Sequence, residues 1–162
     1  MTNDDAHYMR LALAQAELGM SRGEFPFGAV LVGSDGSIVA ANYDTVERDN
    51  DFTSHAETML VKIACKATGR RDLSGCTLYT TVAPCPMCFT TSWLARVDRI
   101  VWGATMKEVA DLTGNAVREL AVPTEQMSDL GGNQVAIQGG VLRDECLALF
   151  SQVMASAGAG PA

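Results

Sequence analysis

Thr53-Ser54-His55-Ala56-Glu57, followed further on by Pro84-Cys85-Pro86-Met87-Cys88, is the pair of stretches on which the reading of the whole chain turns. One histidine and two cysteines are donors of the kind zinc takes. A tetrahedral ion held by three protein side chains keeps its fourth position for water. Glu57 stands two residues past His55, close enough to move protons at that water without binding the metal itself. Both stretches read as helix starts, where backbone N–H groups and the positive dipole end favour thiolates and bound hydroxide. Pro86 suits a first helical turn. The Pro-Cys-Pro turn would hold two thiolates on one side of an ion.

Outward from these stretches, strands alternate with helices. Thr53 or Ser54 can cap a helix running to about Ala67, with Met59, Leu60, Ile63, Ala64 and Ala67 on one face and Gly69 as its stop. Thr77 to Val82 is β-branched and aromatic, as strands are. Before the metal stretches, Met9, Ala12, Leu13, Ala16 and Met20 recur at helical spacing over residues 4–20, with Asp4 and Asp5 at the start. Phe27 to Val32, the turn Gly33-Ser34-Asp35-Gly36 and Ser37 to Ala41 read as a hairpin. Polar residues 42–51 read as a loop. After the metal stretches come a strand at Ile100–Gly103, helical pieces broken by Gly-Asn and Gly-Gly over 105–133, a short strand at Val135–Ile137 and a helix from Arg143 to Met154. The alternation predicts a layered α/β sandwich. Residues 1–154 read as a single zinc-dependent domain and 155–162 as a mobile C-terminal tail.

Composition narrows the function classes. A net charge of −7 and a pI near 4.7, with 12 basic against 19 acidic residues, disfavour a large polynucleotide surface. The Arg70-Arg71 pair reads as a solvated helix end. No apolar run reaches the roughly 18–20 residues that span a bilayer, and the polar N-terminus does not read as a secretory signal. Five cysteines, three of them without framework spacing, fit reduced thiols in a cytoplasmic protein better than disulfides.

A closed structural zinc site is the bland alternative. It needs four protein donors, commonly in two pairs. Here one C-x-x-C stands alone, and Cys65, Cys76, Cys146 or His7 would have to close the shell.

The H-x-E…P-C-x-x-C arrangement marks zinc-dependent nucleobase deaminases. The chain resembles the cytidine deaminase-like superfamily, and within it the bacterial guanine and cytosine deaminase branch, which also holds tRNA adenosine deaminases. The likeness runs from the first helix to about Gly103 and includes Pro26-Phe27-Gly28-Ala29-Val30, Asn42, Leu78-Tyr79-Thr80-Thr81 and the two metal stretches. It implies a three-layer α/β/α fold on a mixed five-stranded sheet, and a homodimer or higher homo-oligomer. It further implies one zinc on His55, Cys85 and Cys88, and Glu57 as the catalytic proton shuttle. Substrate contacts implied are Asn42 to a ring or sugar edge, Phe27 as a pocket wall and the Ala56 backbone N–H to a base carbonyl. Asn42 is equally well placed to be a turn residue after a strand.

Departures from the family pattern bear on the substrate. Phe52 stands where proline is usual, Thr90-Thr91 where Gly-Ala is usual, and Leu94 and Gly114-Asn115 replace features of guanine deaminases. The expected activity is hydrolytic loss of ammonia from a free nucleobase or nucleoside, a guanine-like purine first. Cytosine, a related aminopyrimidine or an aminotriazine follow, then tRNA adenosine, then a non-catalytic zinc-stabilised module. Ring contacts are expected from 105–116 and from Asp144, Glu145 and Phe150, each of which also reads as an ordinary helix residue.

Overall fold

The stripe Met9, Ala12, Leu13 and Ala16 is buried along one side of α1 (Asn3–Met20), as its helical spacing requires. A computed structural model describes residues 3–118, 120 and 122–158 of the chain. β1 (Gly28–Val32) and β2 (Ile38–Tyr43) form an antiparallel hairpin whose register slips between Leu31 and Val32. After the single-turn α2 (Val46–Asp49) comes α3 (Ala56–Thr68), which ends at Gly69 in the left-handed conformation (φ 67°) that glycine adopts without a Cβ penalty. β3 (Thr77–Val82) pairs antiparallel with β1. α4 (Pro86–Leu94) is the crossover that lets β4 (Arg99–Ala104) lie parallel to β3. α5 (Met106–Thr113) and α6 (Thr124–Leu130) precede β5 (Ala136–Gln138), which is parallel to β4, and α7 (Arg143–Gly158) follows.

The sheet order is β2-β1-β3-β4-β5, a mixed five-stranded sheet between two helical layers. Alternation along the strands divides the core. Val30, Val32, Tyr79 and Val101 face α1, α5 and α7, joined by Val109, Leu149 and Phe150. Ala29, Leu31, Leu78 and Ile100 face the other way, packing with Leu60, Val61 and Ala64 of α3, Phe89 of α4 and Met127 of α6. Each such Leu, Phe or Val contributes about 1.5–3 kcal/mol over an exposed position. Two glycines set the distance between layers. A Cβ on Gly28 would lie 2.2 Å from the Ala12 carbonyl oxygen of α1, and one on Gly103 would lie 2.3 Å from Cys146 Sγ of α7.

The three-layer architecture agrees with the sequence reading, and the differences lie at element ends. β2 runs to Tyr43, two residues beyond Ala41, and the loop that follows contains α2. The N-cap of α3 is His55, not Thr53 or Ser54, because the Thr53 N–H and hydroxyl are both given to Asp51 Oδ1, each at 2.8 Å. Asp5 is not an ordinary helix-start acid. It is 1% exposed and takes both Arg99 N–H groups, at 2.7 and 3.1 Å, with the Tyr79 hydroxyl at 3.1 Å. α7 continues through 155–158, the first half of the stretch expected to be a mobile tail; residues 159–162 lie outside the described residues. Among the described residues no helix is long and apolar enough to cross a membrane.

Candidate metal centre and substrate cavity

The two metal stretches open α3 and α4, and their donor side chains meet. His55 is the N-cap of α3 and Cys85 the N-cap of α4. Neither side chain caps its own helix. Both are thereby left for a ligand in front of two helix N-termini. Cys85 Sγ and Cys88 Sγ lie 3.6 and 3.5 Å from His55 Nδ1. A tetrahedral zinc with Zn–S of about 2.3 Å and Zn–N of about 2.05 Å separates sulfur from nitrogen by about 3.6 Å, so these residues fit the ion as they stand.

Among the described residues the three donors, all within 4.8 Å of one another, are the one cluster able to hold a metal. Cys65, Cys76 and Cys146 do not join it, and neither does His7, so among the described residues no fourth side chain closes the shell as a structural site requires. The Cys88 thiol hydrogen-bonds Cys85, which holds Cys85 down to about 4, with His55 adding to the effect. The same hydrogen bond, together with burial, pushes Cys88 up. The Thr58 hydroxyl lies 3.3 Å from Cys88 Sγ. A thiolate is the form in which cysteine binds zinc.

Glu57 lies in the first turn of α3, 5% exposed. Burial raises its carboxyl above the ordinary range, and the nearby Cys85 sulfur adds to that. The Thr80 hydroxyl sits 3.0 Å from Glu57 Oε1 and 3.0 Å from the Val82 carbonyl oxygen. It has one proton to give. When Glu57 is ionised that proton serves the carboxylate, and when Glu57 carries a proton the hydroxyl can turn to Val82.

The space in front of these groups has two parts. An inner recess of about 10 Å³, on the scale of a single water, is lined by His55, Glu57 and Cys85 with Phe27, Asp44, Val82, Ala83 and Met106. An outer cavity of about 200 Å³ shares the walls Phe27, Asp44 and His55 and adds Phe25, Phe52, Val46 and the 116–118 segment. That is below the roughly 300–1,000 Å³ of drug-sized sites and suits one small ring system.

Of the expected substrate contacts, Phe27 does face this space, with its ring held edge-on by Phe150 at 5.2 Å between centroids. Ala56 is fully buried as the first residue of α3, so its N–H lies outside the helix ladder. Asn42 is not brought to the cavity. It is still within β2, paired with Ala29, and the residue that reaches the wall after the strand ends is Asp44. Asp44 is 5% exposed, and burial pushes its carboxyl up to about 7 against the opposing charge of His55. Its backbone N–H donates to the Phe27 carbonyl oxygen at 3.0 Å, tying two cavity walls together. Asp144 and Glu145 lie on the surface with Arg143 and Arg10, away from the cavity, and Phe150 acts through Phe27. Asp44 is not singled out by the sequence; Thr80 enters it only within the Leu78–Thr81 match, without a role, and Met106 and Ala116 belong to the 105–116 stretch expected to supply ring contacts and do line this space. For Asp44 the available signal was the end of β2, where Tyr43 continues the strand's buried face.

The rim is positioned from a distance. Glu24, 5% exposed in the bend after α1, accepts the Glu47 N–H at 3.0 Å and the Arg48 N–H at 2.8 Å, so it satisfies two groups in the first turn of α2 that the N-cap residue Thr45 does not cap.

Comparison with known proteins agrees with this geometry. Residues 2–104 match the family described as the cytidine and deoxycytidylate deaminase zinc-binding region. The tRNA-specific adenosine deaminase of Bacillus subtilis is 35% identical over 151 residues, 93% of this chain and 88% of that protein. The guanine deaminase of the same organism is 41% identical over 86 residues, 53% of this chain and 54% of that one. In fold, the structure of guanine deaminase from Nitrosomonas europaea superposes with a TM-score of 0.83, covering 93% of this chain and 84% of that chain at 24% identity.

Proposed function

The chain belongs to the cytidine and deoxycytidylate deaminase zinc-binding family, and from that premise we propose that this zinc-type deaminase acts on a free, small, amino-bearing heterocycle, a guanine-like purine before a cytosine-like or triazine ring. The observation that carries the reading is the three-donor cluster of His55, Cys85 and Cys88 with buried Glu57 beside it at the back of a cavity sized for one ring system.

Zinc bound by His55, Cys85 and Cys88 would supply an activated water at neutral pH. The chain's own part is positioning and proton transfer. Glu57 would take one proton from the attacking water and deliver it to the ring nitrogen next to the carbon under attack, then take the second from the hydroxyl now on that carbon and pass it to the amine, which leaves as ammonia while the carbonyl forms. Thr80 keeps Oε1 oriented through both protonation states. Phe27, held by Phe150, provides an apolar wall against the ring face, and the Ala56 N–H is the donor for a carbonyl on the base. The apolar side chains Phe27, Val82, Ala83 and Met106 around the inner recess keep bulk water away from the transfer.

A free small substrate is supported by the acidic chain and by the restricted cavity, and a guanine-like ring by the 41% identity to a guanine deaminase. A second reading, editing of adenosine in tRNA, is favoured by the 35% identity to a tRNA-specific adenosine deaminase over 93% of the chain. The same proposal takes residues 1–154 as a single domain working in the cytoplasm as a homodimer or higher homo-oligomer. Leu94, 67% exposed on α4, and Ile63, 38% exposed on α3, offer an apolar face for that assembly.

Ammonia release measured over guanine, guanosine, cytosine, cytidine, adenine, isocytosine, aminotriazines and a tRNA anticodon stem-loop tests the reading. Turnover of one or more free rings is expected, and turnover of the RNA alone would replace it with the second reading. His55→Ala is expected to lose most bound zinc by elemental analysis. Unchanged zinc content would remove His55 from the ligand set.

A further inference from the structure

Phe52 is 86% exposed, yet the turn that carries it is pinned on both sides. Before it, the Asp51 N–H donates to the Val46 carbonyl oxygen at 3.2 Å, and the Asp51 carbonyl oxygen accepts the Ser54 N–H at 3.0 Å. After it, Thr53 gives its N–H and its hydroxyl to Asp51 Oδ1, each at 2.8 Å, and the Ser54 carbonyl oxygen accepts the Thr45 N–H at 3.0 Å. The backbone thus presents a phenyl ring to solvent from a fixed base. Single exposed apolar side chains are ordinary on a protein surface. This one is set apart by its place. It lines the outer cavity together with Phe25, Phe27 and the metal donor His55, whereas Leu120 and Leu130, 73% and 81% exposed, do not.

The two spaces at the metal divide a substrate between them. The inner recess of about 10 Å³ admits a water and the reacting edge of a ring, so the body of the ring lies in the outer cavity of about 200 Å³. Phe27 lines both spaces and Phe52 the outer one alone. The part of a substrate nearest the carbon under attack therefore meets Phe27, and the part farthest from it meets Phe52. The charged side chains of the outer cavity do not favour a phosphate there. Arg118 is exposed at the rim, and Glu47 and Asp44 set two acids against it. What remains uncovered is an aromatic face, and a neutral flat ring covers it by stacking, whatever hydrogen-bonding edge that ring carries. A platform held in place before binding costs little to order. Resting on the deaminase reading above, we propose that Phe52 is a specificity-determining residue of this site, which stacks on the second ring of a bicyclic heterocycle and so favours purine-like substrates over single rings.

Guanine and isocytosine form the matched pair that tests it, because isocytosine is the six-membered half of guanine with the same amine, carbonyl and ring N–H. Adenine against 4-aminopyrimidine repeats the comparison for a purine with its amine on the other side. On the zinc-loaded full chain, kcat/KM from ammonia release is expected to be about tenfold or more higher for the bicyclic member. Phe52→Ala is expected to lower that value by about tenfold or more, chiefly through KM, and to leave the single ring within about twofold. Phe52→Tyr keeps the aromatic face and is expected to keep the ratio, while Phe52→Leu, apolar but not flat, falls between. Zinc content, melting temperature and oligomeric mass are expected to be unchanged in all three variants. A wild type that turns over isocytosine or cytosine as well as guanine, or a Phe52→Ala protein that keeps the wild-type ratio, overturns the inference and leaves the deaminase reading intact. So does a Phe52→Ala protein whose oligomeric mass falls while both members of a pair weaken equally, because Phe52 is then a contact between copies of the chain. Dissociation constants of the same pairs for Glu57→Gln protein, with and without Phe52→Ala, give the ratio where turnover is slow. Turnover of the tRNA stem-loop alone, or neither turnover nor binding of any compound, overturns the functional reading and this inference together.

Discussion

Two of the buried carboxylates, Asp5 and Glu57, lie on opposite faces of one sheet and are treated differently. Asp5, on the α1 face, receives two N–H groups from Arg99 and the hydroxyl of Tyr79. Glu57, on the metal face, has one hydroxyl from Thr80, shared with a backbone carbonyl. The first is compensated on every side and can only be a fastener between α1 and β4. The second is kept short of partners, so that gaining or losing a proton changes little around it. Burial is common to both, and the number of committed donors separates a structural acid from a chemical one.

The contrast breaks most sharply if Glu57→Gln is replaced. Ammonia release is expected to fall by about 10²–10⁴-fold, with zinc retained and unfolding by urea nearly unchanged. Asp5→Asn should do the reverse. A loss of about 2–4 kcal/mol in urea denaturation is expected because Arg99 is left unpaired, discounted for the 31% of its side chain that solvent reaches, while kcat changes little. Swapped phenotypes would erase the distinction drawn here. Thr80→Val sharpens it: losing one hydrogen bond to a charged group predicts about a tenfold drop in kcat/KM, seen as a lower kcat with little change in KM. The smallest effect belongs to Tyr79→Phe, about 1 kcal/mol of stability and no change in turnover. That outcome checks that Arg99, not the phenol, carries most of the compensation at Asp5.

What the sequence showed depended on how local the cause was. The metal donors and Glu57 could be read because helix starts, a C-x-x-C and a histidine two residues from an acid are short-range patterns. The buried strands and the stripe of α1 followed from periodicity. Asn42 was misplaced because the end of a strand is decided by its neighbour: β2 continues to Tyr43 while β1 still offers Gly28 as a partner. A shift of that size carries a different residue to the cavity wall. The role of Asp5 was hidden for a similar reason, since Arg99 lies 94 positions away and nothing near Asp5 announces it. Likewise, the N-cap residue Thr45 of α2 caps nothing, and the Glu47 and Arg48 N–H groups go to the distant Glu24.

That remote cap has a consequence for how the enzyme can be tuned. One carboxylate clamps the bend after α1 to the first turn of the rim, so the width of the entrance is fixed by a strut rooted outside it. Lengthening or stiffening the bend at 21–25 would therefore alter admission of bulkier molecules while the machinery behind the doorway stayed untouched. Variation in permissible cargo among close sequences has an inexpensive route here, through a hinge that never meets the cargo itself.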